Sequence, residues 1–342
     1  MNNQRFIFID YCKTIAIILV LLGHKDTPLS DKSIDVIYTF HMPLFFFISG
    51  FLFKRYDWIT QLQRMKKGIV TPLFFFIFFS YITLYAPRNI LHHNYTDIYS
   101  FIHIMLFIPI KDTIKGLSVC DNGSIWFIYS LILCIITFRI LSEKILYYLR
   151  KYLYIFLIIV PLLSMGWCFI FTGSYPWNIQ RHFIICSIFI LGYSLNPYIK
   201  KINSNNIKSN KFLILLVLSF IFFFIVYSNS NNITRWYNYS ISIISSYQTC
   251  ILTLMGIIFV LTLSMILAKL FGKNKYIEFI SNNTYTIFAT ECVWQWNLHR
   301  VELITTTEFT ALQIVILRFI LSCIFAYYMN KYFPSLIGNK KK

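Results

Sequence analysis

The sequence predicts an all-α, polytopic membrane protein of about ten transmembrane helices with both termini cytoplasmic. Three observations predict it. Hydrophobic residues make up 57% of the 342 positions and charged residues only 13%, a composition outside the range of soluble domains. Apolar stretches close to the roughly 20 residues that cross a bilayer recur along the chain. Lys and Arg alternate loop by loop, abundant and then sparse, as cytoplasmic and outer loops do.

Ten segments carry this pattern, near residues 6–24, 34–53, 69–85, 125–142, 153–173, 181–198, 211–228, 247–270, 283–297 and 311–332. They are read as a single membrane-embedded domain over 1–342. The first holds Asp10, Lys13 and His24, with no small-residue cleavage site before Lys25-Asp26, so it is expected to be retained and not removed as a signal peptide. The second contains His41 and is interrupted by Pro43, which cannot donate a backbone hydrogen bond and should break or kink its helix. Exposed backbone at that depth is tolerated only beside protein or a water-filled cavity, so Pro43 points to a cavity next to His41. The run Phe45-Phe46-Phe47 reads as lipid-facing or packing material, and Ser49-Gly50 permits close helix approach. The segment 283–297 is short and polar, with Glu291 at its middle. The last carries Arg318, about a third of the way in from outside.

The connections fit the same scheme. Arg5, Lys54, Arg55, Arg64, Lys66, Lys67, Arg139, Lys144, Arg150 and Lys151 fall on the expected inner side, with the lysines at 200, 201, 208, 211, 269, 273, 275, 331 and 340–342. These are 21 of the 31 basic residues. Eight lie on the opposite side and two, Lys13 and Arg318, within segments. The formal charge of +18 is therefore a topology signal, assisted by anionic membrane lipid, and not a nucleic-acid footprint. The outer stretch 86–124 contains Ser100-Phe-Ile-His-Ile-Met-Leu-Phe-Ile-Pro109, too short to span. It suits a surface-lying segment or a re-entrant lid. The eight cysteines show no Cys-x-x-Cys spacing, so neither a disulfide framework nor a zinc site is expected.

Function is sought among the costly residues. A charge at mid-span costs about 2.5–3.5 kcal/mol, and titratable groups there usually serve a function. Lys13 and His24 are eleven residues apart, which returns to within about 20° of the same helix face at a rise of about 16 Å. With the N-terminus inside, Lys13 lies toward the cytoplasm and His24 at the outer boundary. His41, in the outer half of the next segment, meets His24 at a similar depth. Imidazole can take a proton from a hydroxyl, as acyl transfer to an alcohol requires. Lys13 either pairs with Asp10 three residues away or lines a cavity and holds an anionic group such as a phosphate. Glu291 either forms a salt bridge with Arg318 or orients a histidine. Arg64, Lys66 and Lys67 are either a phosphate-binding patch or topology determinants.

These segments resemble a known family. Asp10-Tyr-Cys-Lys-Thr-Ile-Ala-Ile-Ile-Leu-Val-Leu-Leu-Gly-His24 and Phe40-His-Met-Pro-Leu-Phe-Phe-Phe-Ile-Ser-Gly-Phe-Leu-Phe53 look like the opening of acyltransferase family 3, the integral-membrane O-acyltransferases, and most like its fucose 4-O-acetylase-like branch. Trp126-Phe127 and Leu191-Gly192-Tyr193 resemble further family marks. The resemblance implies an enzyme of the bacterial cytoplasmic membrane. Such an enzyme moves an acetyl group from cytoplasmic acetyl-CoA to a hydroxyl of an extracytoplasmic surface polysaccharide or its lipid-linked precursor, without a metal. It carries over to Lys13 and His24 in the first segment and to His41 in the second. Two departures stand out. Lys13 replaces an arginine common in the family, which keeps the charge but loses the bidentate fork. Glu291 stands where many members show a histidine.

The mechanism expected is that Lys13, with Arg64, Lys66 and Lys67, holds the acetyl-CoA phosphates. His24 acts as general base or briefly carries the acetyl group, with His41 positioning or sharing the proton and Glu291 orienting a histidine. A secondary transporter or flippase for a glycan precursor is the alternative, with the buried charges as a proton relay. No internal repeat of the kind found in many transporters is evident. A polysaccharide-assembly scaffold would leave the two histidines unexplained.

Overall fold

The computed structural model describes residues 6–24, 27–80, 82–83, 126–170, 181–204, 209–229, 243–305 and 308–339. Every regular element among them is helical. In chain order these are α1 (Ile7–Gly23), α2 (Asp31–Leu52), α3 (Trp58–Met65), a π-helical turn (Lys66–Val70), α4 (Thr71–Ser80), α5 (Trp126–Ile140), α6 (Glu143–Lys151), α7 (Leu153–Ile170), α8 (His182–Ser204), α9 (Ser209–Asn229), α10 (Ile243–Phe271), α11 (Lys275–Asn282), α12 (Thr284–Thr305), α13 (Ala311–Tyr332) and a closing 3₁₀ turn (Pro334–Ile337). The described part of each of the ten apolar segments is helical.

By length and composition, four described helices suffice to cross a membrane: α2, α8, α10 and α13. The pair α5 and α6 makes a fifth if counted together, although it bends by 100°. The other segments are helical but shorter, more polar or only partly described. The expected surface segment at 100–109 lies outside the described residues.

α1 is the hub. It packs against α2, α10, α11, α12 and α13, and residues on several of its faces, including Phe8, Cys12, Ile17 and Leu21, are buried. A helix apolar all round belongs inside a bundle. α2 crosses α8 at a reciprocal contact. A Cβ on Gly50 would stand 2.0 Å from the Phe189 carbonyl oxygen, and one on Gly192 would stand 2.1 Å from that of Phe47. Only glycine allows backbones this close, and Asn196 Nδ2 donates to the Phe51 carbonyl beside them. Phe45, Phe46 and Phe47 are buried, at 8%, 0% and 1% exposure. They are packing material and face inward, not toward lipid.

Pro43 does not break α2, which runs unbroken from Asp31 to Leu52. The proline removes the N–H that would bond the Thr39 carbonyl one turn back. The Thr253 hydroxyl of α10 donates to that carbonyl instead, at 2.8 Å. Loss of this donor leaves a buried acceptor unsatisfied, which costs about 1–3 kcal/mol. Thr253→Val is expected to lower the unfolding free energy in detergent by that amount, while Thr253→Ser, which keeps the hydroxyl, is expected to match the parent protein.

On the side expected to face the cytoplasm, Arg55 ties the α2–α3 corner to the α5–α6 bend. Its Nη2 donates to the Arg139 and Leu141 carbonyls, at 3.2 and 2.9 Å, and its Nη1 lies 2.9 Å from Glu143. Asp57 caps α3 by accepting from the Thr60 backbone N–H, which holds its carboxyl below the usual carboxylate range. The short α11 then delivers the chain to α12, and a Thr310–Gln313 capping box opens α13.

Candidate active site

His24 closes α1. Its backbone N–H donates to the Val20 carbonyl at 3.2 Å, after which the chain turns extended. The helix end touches α2, because a Cβ on Gly23 would stand 3.2 Å from Ile37 and 3.8 Å from Tyr38. His41 follows one turn later on α2. It is buried, its Nδ1 donates to the Ile37 carbonyl at 2.8 Å, and its ring meets the edge of Tyr38 with centroids 4.9 Å apart. The two histidines therefore sit within about one helical turn of each other, between α1 and α2.

α12 brings the third member. Glu291, fully buried, places Oε1 2.6 Å from His24 Nδ1, while its Oε2 pairs with Nη2 of the fully buried Arg318 on α13. Of the two expectations for Glu291, a salt bridge or a histidine partner, the structure contains both, one on each carboxylate oxygen. A charge without water is costly unless paired and hydrogen-bonded, and Arg318 supplies the compensating charge. An ionised carboxylate only accepts, so His24 Nδ1 carries the hydrogen, and in the neutral imidazole Nε2 keeps its lone pair. The backbone carbonyl at Ile37 imposes the same tautomer on His41. Each imidazole is held by one nitrogen and offers the other.

Cys292 joins the cluster. Its Sγ donates to Glu291 Oε1 at 2.8 Å and lies 3.5 Å from His24 Nδ1. Nothing in the sequence signals this, because adjacent helix residues point about 100° apart. The donor atoms of His24, Glu291 and Cys292 lie within 4.8 Å of one another, a set chemically able to ligate zinc. Their separations of 2.6 and 2.8 Å are hydrogen-bonding distances, whereas ligands of one tetrahedral zinc stand about 3.3 Å or more apart. The Arg318 guanidinium against the same carboxylate completes one hydrogen-bonded network with His24 and Cys292.

Lys13 lies elsewhere, on the wall of a cavity of about 210 Å³ with Ser49, Ser281, Thr284 and Tyr285. Tyr285 donates to the Ile69 carbonyl of the π-helical turn at 3.2 Å, so the cavity abuts the turn that carries Lys66 and Lys67. Both lysines are exposed. Arg64 is exposed too, with its guanidinium 4.0 Å from the Tyr56 ring centroid. Asp10 is buried and accepts from the Ser281 hydroxyl at 2.7 Å. The predicted residues thus form three groups: His24, His41 and Glu291 together, Lys13 on a cavity wall, and the Arg64–Lys67 cluster on the surface beside it.

No curated protein and no solved structure matches the chain significantly. A family profile described as an acyltransferase domain matches residues 6–331. With nearly the whole length matched, and a buried proton-bearing cluster inside an all-helical membrane bundle, this chain belongs to acyltransferase family 3.

Proposed function

We propose that the protein is a multi-pass O-acetyltransferase of the bacterial cytoplasmic membrane. It moves an acetyl group from cytoplasmic acetyl-CoA to a hydroxyl of an extracytoplasmic surface polysaccharide or its lipid-linked precursor, as in the fucose 4-O-acetylase-like branch. One observation carries this reading: the Arg318-backed Glu291 carboxylate bound to His24 Nδ1. That arrangement leaves Nε2 as a base, and the carboxylate stabilises the imidazolium that forms when it takes a proton.

In the reaction, Nε2 of His24 accepts the proton of the acceptor hydroxyl as its oxygen attacks the thioester carbonyl. The carbon–sulfur bond then breaks, and the CoA sulfur leaves with the proton returned from Nε2. His41 shares or positions that proton. Lys13 holds a phosphate of the donor from the cavity wall, with Lys66, Lys67 and Arg64 at its mouth. The support for this is that the cavity borders the lysine-bearing turn on one side and α1 on the other.

The test is His24→Ala in the native host, with the membrane level of the protein measured alongside. The acetyl ester released from the surface glycan by mild base is expected to disappear while the glycan itself persists. Full acetylation by a normally expressed variant overturns the assignment. Loss of the whole glycan would instead indicate the transporter reading.

A further inference from the structure

Three phenylalanine rings separate the Lys13 cavity from the histidine–glutamate cluster. Phe45 on α2, Phe127 on α5 and Phe288 on α12 all line the cavity. They touch one another with ring centroids 5.8, 6.0 and 5.4 Å apart, closing a triangle. Their exposures are 8%, 8% and 4%.

Two helices independently give the same vertical order. Along α2, Ser49, Phe45 and His41 are spaced by four and share a face. Ser49 lines the cavity, and His41 lies about 6 Å beyond Phe45. Along α12, Tyr285, Phe288 and Glu291 are spaced by three. Tyr285 lines the cavity, and Glu291 lies about 4.5 Å beyond Phe288. α1 spans the same interval from Lys13 to His24. The rings therefore form a layer about one side chain thick between the cavity and His24.

We infer that this Phe45–Phe127–Phe288 collar is a size filter for the acyl group, admitting a two-carbon thioester end and rejecting longer chains. The inference rests on the donor reading above. To bring its carbonyl carbon within reach of a hydroxyl activated by His24, an acyl-CoA entering from the Lys13 side inserts its acyl tail among the three rings. A methyl group is the smallest acyl tail the rings have to admit. Each further methylene displaces a ring from a packed layer, and apolar pockets discriminate by roughly 10–200-fold per methylene. Packed aromatic walls do not yield without cost.

The experiment uses membranes of the native host, which contain the full-length protein and its own glycan acceptor. CoA thiol release is followed with acetyl-, butyryl- and octanoyl-CoA. The parent protein is expected to favour acetyl-CoA strongly. Phe288→Ala and Phe127→Ala are each expected to raise the octanoyl-to-acetyl rate ratio at least about tenfold, with octanoyl esters appearing on the glycan by mass spectrometry. Phe288→Leu and Phe127→Leu, which preserve an apolar core, are expected to raise the butyryl-to-acetyl rate ratio and secure the comparison should an alanine variant fail to fold. An unchanged ratio in variants that still release CoA overturns the filter but leaves the donor reading standing. A parent protein that releases CoA from none of the three donors overturns the donor reading, and the filter with it.

Discussion

Replacing Glu291 with glutamine lowers acyl transfer by about 10²–10⁴-fold, the range supplied by a positioned general base. Glutamine keeps the shape and can still accept from His24 Nδ1. It lacks the charge that stabilises the imidazolium when Nε2 takes the acceptor proton, and its amide can flip to present a donor and enforce the wrong tautomer. The same change strips Arg318 of its counter-ion inside the bundle. A second variant, Glu291→Gln with Arg318→Gln, separates the two consequences. It replaces a buried ion pair by two amides able to bond each other. It is expected to recover most of the stability and none of the activity. Recovery of activity in the double variant would show that Glu291 only holds the helices together.

Arg318→Leu is expected to destabilise the protein by about 3–5 kcal/mol, the cost of leaving one member of a buried pair uncompensated. Both side chains have 0% exposure, so neither water nor headgroups can relieve Glu291. The pair itself is weak evidence of net stability, since two apolar residues of similar volume often do as well. Glu291→Leu with Arg318→Leu is therefore expected to unfold within about 1–2 kcal/mol of the parent protein, measured as the denaturation midpoint in detergent. A single Arg318→Leu variant as stable as its parent would mean that the Glu291 carboxylate has other support.

Much of this site was legible because polar residues stand out in apolar runs. Lys13, His24, His41, Glu291 and Arg318 are visible as exceptions within membrane-length segments. Helical spacing placed Lys13 and His24 on one face. Partnership was not legible. Glu291 had two partners in prospect, and spacing along one chain cannot show that a carboxylate with two oxygens serves both. Pro43 predicts a broken helix only if no neighbour supplies a donor, and Thr253 is 214 positions away. The run Phe45-Phe46-Phe47 is apolar on every face, so its periodicity carries no direction. It took contact with Phe127 and Phe288 to show that it faces inward. The Arg64–Lys67 cluster remains a surface feature, its role resting on the cavity behind it.

The hub position of α1 has a consequence for how the protein is made. Asp10 finds Ser281 across 271 positions, and His24 finds Cys292 across 268. At about 5–20 residues per second, the ribosome supplies those partners roughly 15–55 s after the first helix. Through that interval the first helix carries Asp10 and His24 without those partners. Assembly of the reactive cluster is therefore a late event. A chain truncated before α12 would hold both histidines in the membrane with no carboxylate to orient them.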